Sequence, residues 1–230
     1  MSDDFYRAAK HPLGERAVYN LMIRPSLRRA FGGVYAQVHP DALLLRGKPP
    51  VPVIFCMNHS GWYDGYMTAL LNERIFRHDG YLMMEQETLE SMFFLTWAGV
   101  FGINRDSPRS AVASLQYIAE VLAEKPGRSL WMFPQGMVRH ADYRPLELYN
   151  GASNIARRLG KCALVPVAVL SAIIEPASII AEIPRSSAKA RPQRIDARQH
   201  VDAHRIAQQR LVIVALVVDI AQLEQLDELL

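Results

Sequence analysis

The run Asn58-His59-Ser60-Gly61-Trp62-Tyr63-Asp64 sets a carboxylate five positions after a histidine. An imidazole titrates near neutrality, so His59 is suited to take a proton from a weakly acidic hydroxyl. A carboxylate bonded to one ring nitrogen would fix the tautomer and leave the other nitrogen as the base, as in a catalytic dyad. Spacing restricts how the two can meet. On a regular helix, five positions amount to about 140° of rotation at ~100° per residue, which points the side chains apart. The pairing therefore requires His59 in a turn and Asp64 inside the helix that follows, with Gly61 easing the turn. The same residues also fit a plain helix start, in which the aspartate only stabilises the helix dipole.

The elements that would carry this run can be read from apolar periodicity. Val51 to Met57 is a short continuous apolar run, as expected of a buried parallel strand, and Pro52 is tolerated near its start. In open α/β sheets, ligands bind outside the carboxyl ends of strands, which is where His59 falls. Further strands are expected at Tyr81–Met84, Phe101–Asn104, Ser129–Phe133 and Leu164–Leu170. Helices are expected to about Leu71, over Ser110–Ala123 on an apolar stripe of Val112, Leu115, Ile118, Ala119 and Leu122, and over Ala152–Leu159 with Gly160 as its cap. This alternation predicts a single α/β domain with a mostly parallel central sheet flanked by helices. Three more segments place a turn or a cation after an apolar strand, or a proline within one. They are Gly99-Val-Phe-Gly-Ile-Asn-Arg105, Phe133-Pro-Gln-Gly-Met-Val-Arg139 and Val165-Pro166-Val167.

With 230 residues, 50% apolar and 21% charged, the chain is long and apolar enough for a real core and excludes a disordered class. A net charge of +3 is too weak to imply nucleic acid, and the basic stretch 185–210 has no aromatics for base stacking. Two cysteines, Cys56 and Cys162, form no CxxC pair and no disulfide framework, which fits a reducing compartment. The start of the chain is acidic and lacks the apolar run of a secretory leader. The longest apolar stretches, Met92–Ile103 and Cys162–Ile174, are shorter than the roughly 18–20 residues of a spanning helix. A soluble or peripheral cytoplasmic protein is expected. Residues 1–50 carry eight basic and four acidic residues, interleaved with Tyr6, Val18, Tyr19, Leu21, Ile23 and Phe31. That composition suits a helix lying on a membrane surface, and equally an ordinary surface helix packed on the core. After Gly160 no glycine occurs, and after Tyr149 no aromatic. The chain is thus expected to divide into 1–50, a core at 51–174 and a distinct segment at 175–230, with an appended helix over Ile206–Leu230. His200 and His204 stand four apart, but without a zincin glutamate or a third ligand, so no metal is expected.

Taken in order, His59…Asp64, Gly99…Arg105, Phe133-Pro134-Gln135-Gly136 and Val165-Pro166-Val167 resemble the four blocks of the glycerolipid acyltransferases of the lysophosphatidate acyltransferase type. The resemblance covers about residues 50–170. It implies a glycerol-3-phosphate acyltransferase-like fold. It also implies transfer of an acyl chain from acyl-CoA or acyl-carrier protein to a hydroxyl of a lysolipid acceptor, at a membrane surface and without a cofactor. By carry-over His59 is the general base and Asp64 orients it. Arg105 contacts the acceptor phosphate, the Phe133–Gly136 turn binds the acceptor, and Pro166 shapes the acyl channel. Asn58, Gly99 and Arg139 join the substrate-binding set. Trp62, Met67, Phe93, Phe94, Trp97 and Phe101 are available for an acyl groove. The family's third block reads Phe-Pro-Glu-Gly-Thr-Arg. Here the glutamate is Gln135, the threonine is Met137, and the arginine falls one position late at Arg139. A variant acceptor, such as another lysolipid or a glycosylated lipid, fits that departure. A lipid-binding module of the same fold and an acyl-thioester hydrolase are the alternative classes.

Overall fold

The computed structural model describes residues 5–140, 142–172, 193–195 and 211–216. A helical segment runs from α1 (Pro12–Ala17) through a π-helical stretch (Val18–Ile23) into α2 (Arg24–Ala30). There follow β1 (Gly33–Val38), α3 (Pro40–Leu43), β2 (Val53–Met57), α4 (Asp64–Leu71), β3 (Asp79–Glu85), α5 (Gln86–Ser91) and β4 (Val100–Ile103). The rest are α6 (Pro108–Glu124), β5 (Arg128–Met132), α7 (Gly151–Leu159), β6 (Ala163–Ala172), β7 (Gln193–Ile195) and β8 (Leu211–Leu216).

The strands lie in the order β4-β3-β5-β2-β6-β8-β1-β7. The five from β4 to β6 are all parallel and form the centre of an α/β domain. β8 runs antiparallel to β6, β1 parallel to β8, and β7 antiparallel to β1.

Local sequence accounts for these elements. β2 is Val-Ile-Phe-Cys-Met with four of its five residues buried, because helices cover both faces of a parallel sheet. α6 starts where the Ser107 hydroxyl accepts the Ser110 N–H at 3.3 Å, with Pro108 at its first position. α7 ends at Gly160, whose φ of +73° favours a residue without a Cβ. One face of the sheet packs Phe55, Trp131 and Val167 against α4 and the amino-terminal helices, with Phe55 stacked on Trp131 at 4.0 Å. The other face packs Ile54, Leu130 and Met132 against Ile118, Leu122 and Ile155 of α6 and α7.

Several expectations change. Val112 is half exposed and lies off the buried stripe of α6, in which the expected Ile118, Ala119 and Leu122 are joined by Ser110, Ser114 and Val121. The helix expected over 206–230 gives way at Leu211–Leu216 to strand β8. The run Leu-Val-Ile-Val-Ala-Leu holds β-branched residues at its centre, and these suit a pleated strand better than a helix. β1, which was not expected, lies beside β8 in the same sheet. The remainder of 175–230, with His200 and His204, lies outside the described residues.

Candidate active site

β2 and β5 are neighbours, yet their chains leave in opposite directions. β2 feeds α4 on one face of the sheet, and β5 feeds α7 on the other. Such a divergence opens a crevice at the carboxyl edge of a parallel sheet. His59, two residues past β2, and Phe133, directly after β5, meet in that crevice with rings stacked at 4.2 Å.

The turn between β2 and α4 solves the spacing problem. Asp64 is the first residue of α4, while His59 stands in the loop before it. His59 Nδ1 is 3.0 Å from Asp64 Oδ2, and the carboxylate is 2% exposed. The same oxygen accepts the N–H groups of Ser60 at 2.6 Å and Gly61 at 2.8 Å. A carboxylate accepts hydrogen bonds, so the Nδ1 position is the one that carries hydrogen. Nε2 then keeps a lone pair and can take a proton.

Three further contacts hold the histidine loop. The Asn58 side chain donates to Val169 O at 2.9 Å and accepts from Val169 N at 2.6 Å, which extends the β2–β6 pairing past the end of β2. Gln135 is buried, and its Oε1 accepts the His59 N–H at 2.7 Å. His59 O accepts the Arg139 N–H at 2.8 Å. Asn58 and Gln135, expected to touch substrate, are thus engaged with the protein's own backbone. A family-type glutamate at 135 would offer the same oxygen acceptor, which is why glutamine can serve here.

A cavity of about 710 Å³ opens beside His59. Trp62, Phe133, Pro134 and Gly136 line its mouth. Its apolar reach follows β3 from Glu85 back to Gly80, about 17 Å of strand at ~3.3 Å per residue. Val18, Tyr19, Ile23, Tyr66, Leu82 and Leu95 are among its walls. Of the aromatic and methionine residues expected in an acyl groove, only Trp62 lines it. Met67 and Phe101 are core, and Phe93 and Trp97 are on the surface.

Arg105 reaches the mouth, with both Nε and Nη2 2.7 Å from Glu85 Oε2 and its guanidinium 5.5 Å from the Tyr149 ring centre. Gly136 has φ +68°, and a Cβ there would stand 2.6 Å from both Arg105 Nη1 and the Tyr149 ring. The glycine therefore permits the close approach of those two side chains. Tyr149 N–H donates to Pro134 O at 2.8 Å, tying the two loops together.

Other expected residues are not brought together. Gly99 lies at the end of β4 opposite to Arg105, and a Cβ there would meet Gly80 O at 2.7 Å, so it serves a tight turn. Pro166 pairs opposite Cys56 in β6, is exposed and lies outside the cavity wall. The Arg139 guanidinium stands 4.8 Å from the Tyr143 ring centre and 3.5 Å from Glu147 Oε2. Burial, with Cys162 nearby, pushes the Cys56 thiol up to about 12, which removes it as a nucleophile. No group of three metal-binding side chains occurs among the described residues.

Sequence reading missed Glu85, Tyr149, Asn150 and the Val18–Ile23 wall. Glu85 had a signal, since it follows an apolar strand just as Arg105 does.

A family model described as Acyltransferase matches residues 45–170, and this interval contains every one of the site residues expected from the sequence. No curated protein matches the chain.

Proposed function

The chain belongs to the acyltransferase family, and from that premise we propose that it moves an acyl chain from a thioester to a hydroxyl of a lipid acceptor, with His59 as the base. The observation that carries this reading is the 3.0 Å His59–Asp64 contact at the mouth of a long apolar cavity. The donor is a thioester of CoA or of acyl-carrier protein, which share the same reacting bond. Its acyl chain lies along β3, between the sheet and the amino-terminal helices.

In the reaction His59 Nε2 takes the proton of the acceptor hydroxyl while its oxygen attacks the thioester carbonyl. Asp64 Oδ2 holds Nδ1–H and stabilises the imidazolium that forms. The tetrahedral intermediate then breaks its C–S bond. The thiolate leaves and recovers the proton from Nε2, giving an ester, a free thiol and neutral His59. Such base assistance is typically worth 10²–10⁴-fold.

The chemistry takes place at a membrane surface, where the lipid acceptor resides. No helix among the described residues is long and apolar enough to cross a membrane. Attachment runs through the amino-terminal helical segment, where Leu13 and Leu21 are 76% and 80% exposed beside Arg16.

Thiol release from acyl-CoA and from acyl-carrier protein, measured with and without lipid acceptors, tests this reading. Acceptor-dependent release with a new ester product is the expected result. Release without any acceptor would make the protein a thioester hydrolase, and lipid binding without release would make it a binding module.

A further inference from the structure

The charges around the acceptor end of the cavity narrow the acceptor, on the premise of the acyl-transfer reading above. Arg105, the cation expected to meet an acceptor phosphate, already has both Nε and Nη2 on Glu85 Oε2 at 2.7 Å. Arg139, the second candidate, points to Glu147 and Tyr143 and does not line the cavity. Among the described residues lining the cavity, Arg105 is the one lysine or arginine, and Glu85 is the carboxylate beside it; Glu15, held by Lys10 at 3.1 Å, and Glu73 line the opposite, Gly80 end. The amino end of α7, at Asn150 and Gly151, adds N–H donors and about half a positive charge. With Arg105 offset by Glu85, that half charge is what this end holds against an anion. A phosphate monoester carries about −1.5 to −2 at neutral pH. It would have to settle beside Glu85 or take Arg105 away from it.

The groups that are available suit hydroxyls instead. Asn150 and Asn154 offer neutral donors and acceptors, and Tyr149 offers a ring face beside Arg105. Both Arg105 contacts end on Glu85 Oε2, so Oε1 can accept from a hydroxyl. Carboxylate, amides and an aromatic face together recognise a polyol, whose hydroxyls bond to the polar groups while its C–H face packs on the ring. We propose that the acceptor is a lipid with an uncharged, polyhydroxylated head, a glycerol or a sugar, and not a phosphate monoester.

The test uses two acceptors that differ only in the phosphate, 1-acylglycerol and 1-acylglycerol 3-phosphate, together with an alkyl glucoside. The full chain is given both thioester donors, and thiol release and lipid binding by tryptophan fluorescence are measured. At least one neutral acceptor is expected to exceed the phosphate acceptor tenfold in kcat/KM and in affinity. Glu85→Gln, which frees Arg105, should raise kcat/KM for the phosphate acceptor several-fold. Equal or better use of the phosphate acceptor by the unaltered protein overturns the proposal. Release with no acceptor-dependent product overturns acyl transfer itself, and the binding preference then decides the head group alone, with tighter binding of the phosphate lipid counting against it.

Discussion

A single oxygen organises the site. Asp64 Oδ2 receives the His59 ring nitrogen and two backbone N–H groups, so it shapes the loop and orients the base at once. Asp64→Asn keeps one oxygen but adds an N–H₂ group that cannot accept. Turnover should fall by up to about 10⁴-fold, as when a tautomer-orienting carboxylate is lost. His59→Ala should fall at least ~10²-fold with little change in Tm, because its side chain is partly exposed and contributes modestly to packing. Steady-state rates and thermal melts check both, and unaltered turnover in His59→Ala would remove the mechanism. Gln135 acts one step back, through the His59 N–H. Gln135→Ala strands a buried donor, at about 1–3 kcal/mol, and should lower both kcat and Tm. Gln135→Glu restores the acceptor and should recover much of kcat, an outcome that a plain packing role for Gln135 would not give. The His59–Asp64 pair was legible in the sequence because only five positions separate the partners, across one loop-to-helix junction. Glu85 was not, because its meaning depends on Arg105, which only the β3–β4 register brings alongside.

At the scale of elements, the parallel strands were legible because burial on both faces leaves continuous apolar runs such as Val53–Met57. β1 and β8 were not, since the two pair with each other across a long stretch of chain, Gly33 with Leu211. The amino end of the sheet is fastened by charge. Asp79, opening β3, contacts Lys10 at 2.9 Å, Lys125 at 2.8 Å and Arg128 at 3.2 Å. Burial works to raise the Asp79 pKa, but hydrogen bonds and charge from Lys125 and Lys10 outweigh it and hold the group at about 2. The folded value lies below the ordinary 3.8, so the ionised carboxylate stabilises the fold above about pH 4. That contribution drains away as pH falls towards 2. Asp79→Asn should therefore be less stable than the parent at pH 7, with the gap closing between pH 4 and 2. Urea midpoints across that range check it, and a gap independent of pH would show that the three cations do not act through charge.

At the scale of the whole molecule, the amino-terminal helices serve two surfaces. Their inner side, through Val18, Ile23 and Leu27, is core, and Val18, Tyr19 and Ile23 also wall the cavity. Their outer side carries Leu13, Arg16, Ala17 and Leu21, all exposed. The stretch 1–50 therefore need not be a membrane segment or a packed helix exclusively, because one helical segment presents both faces. Deleting residues 1–35 would be a poor probe of membrane attachment, since it also removes a cavity wall and half of β1. A double substitution, Leu13→Asp with Leu21→Asp, separates the roles. Both side chains are more than three-quarters exposed, so the fold loses little burial and Tm should hold. At a bilayer each leucine would otherwise bury apolar surface worth at most ~1.5–3 kcal/mol, and partial insertion puts the combined loss near tenfold in partitioning. Co-sedimentation with anionic vesicles should thus weaken about tenfold in the double variant. Binding of the parent protein should fall with added salt, because the excess of four positive charges in residues 1–50 is screened. Turnover of a short-chain, freely dispersed acceptor should be unaffected, since neither leucine lines the cavity. Undiminished vesicle binding by the variant would move the docking surface away from this helix, to the exposed apolar lip that Trp62 and Val138 form at the cavity mouth.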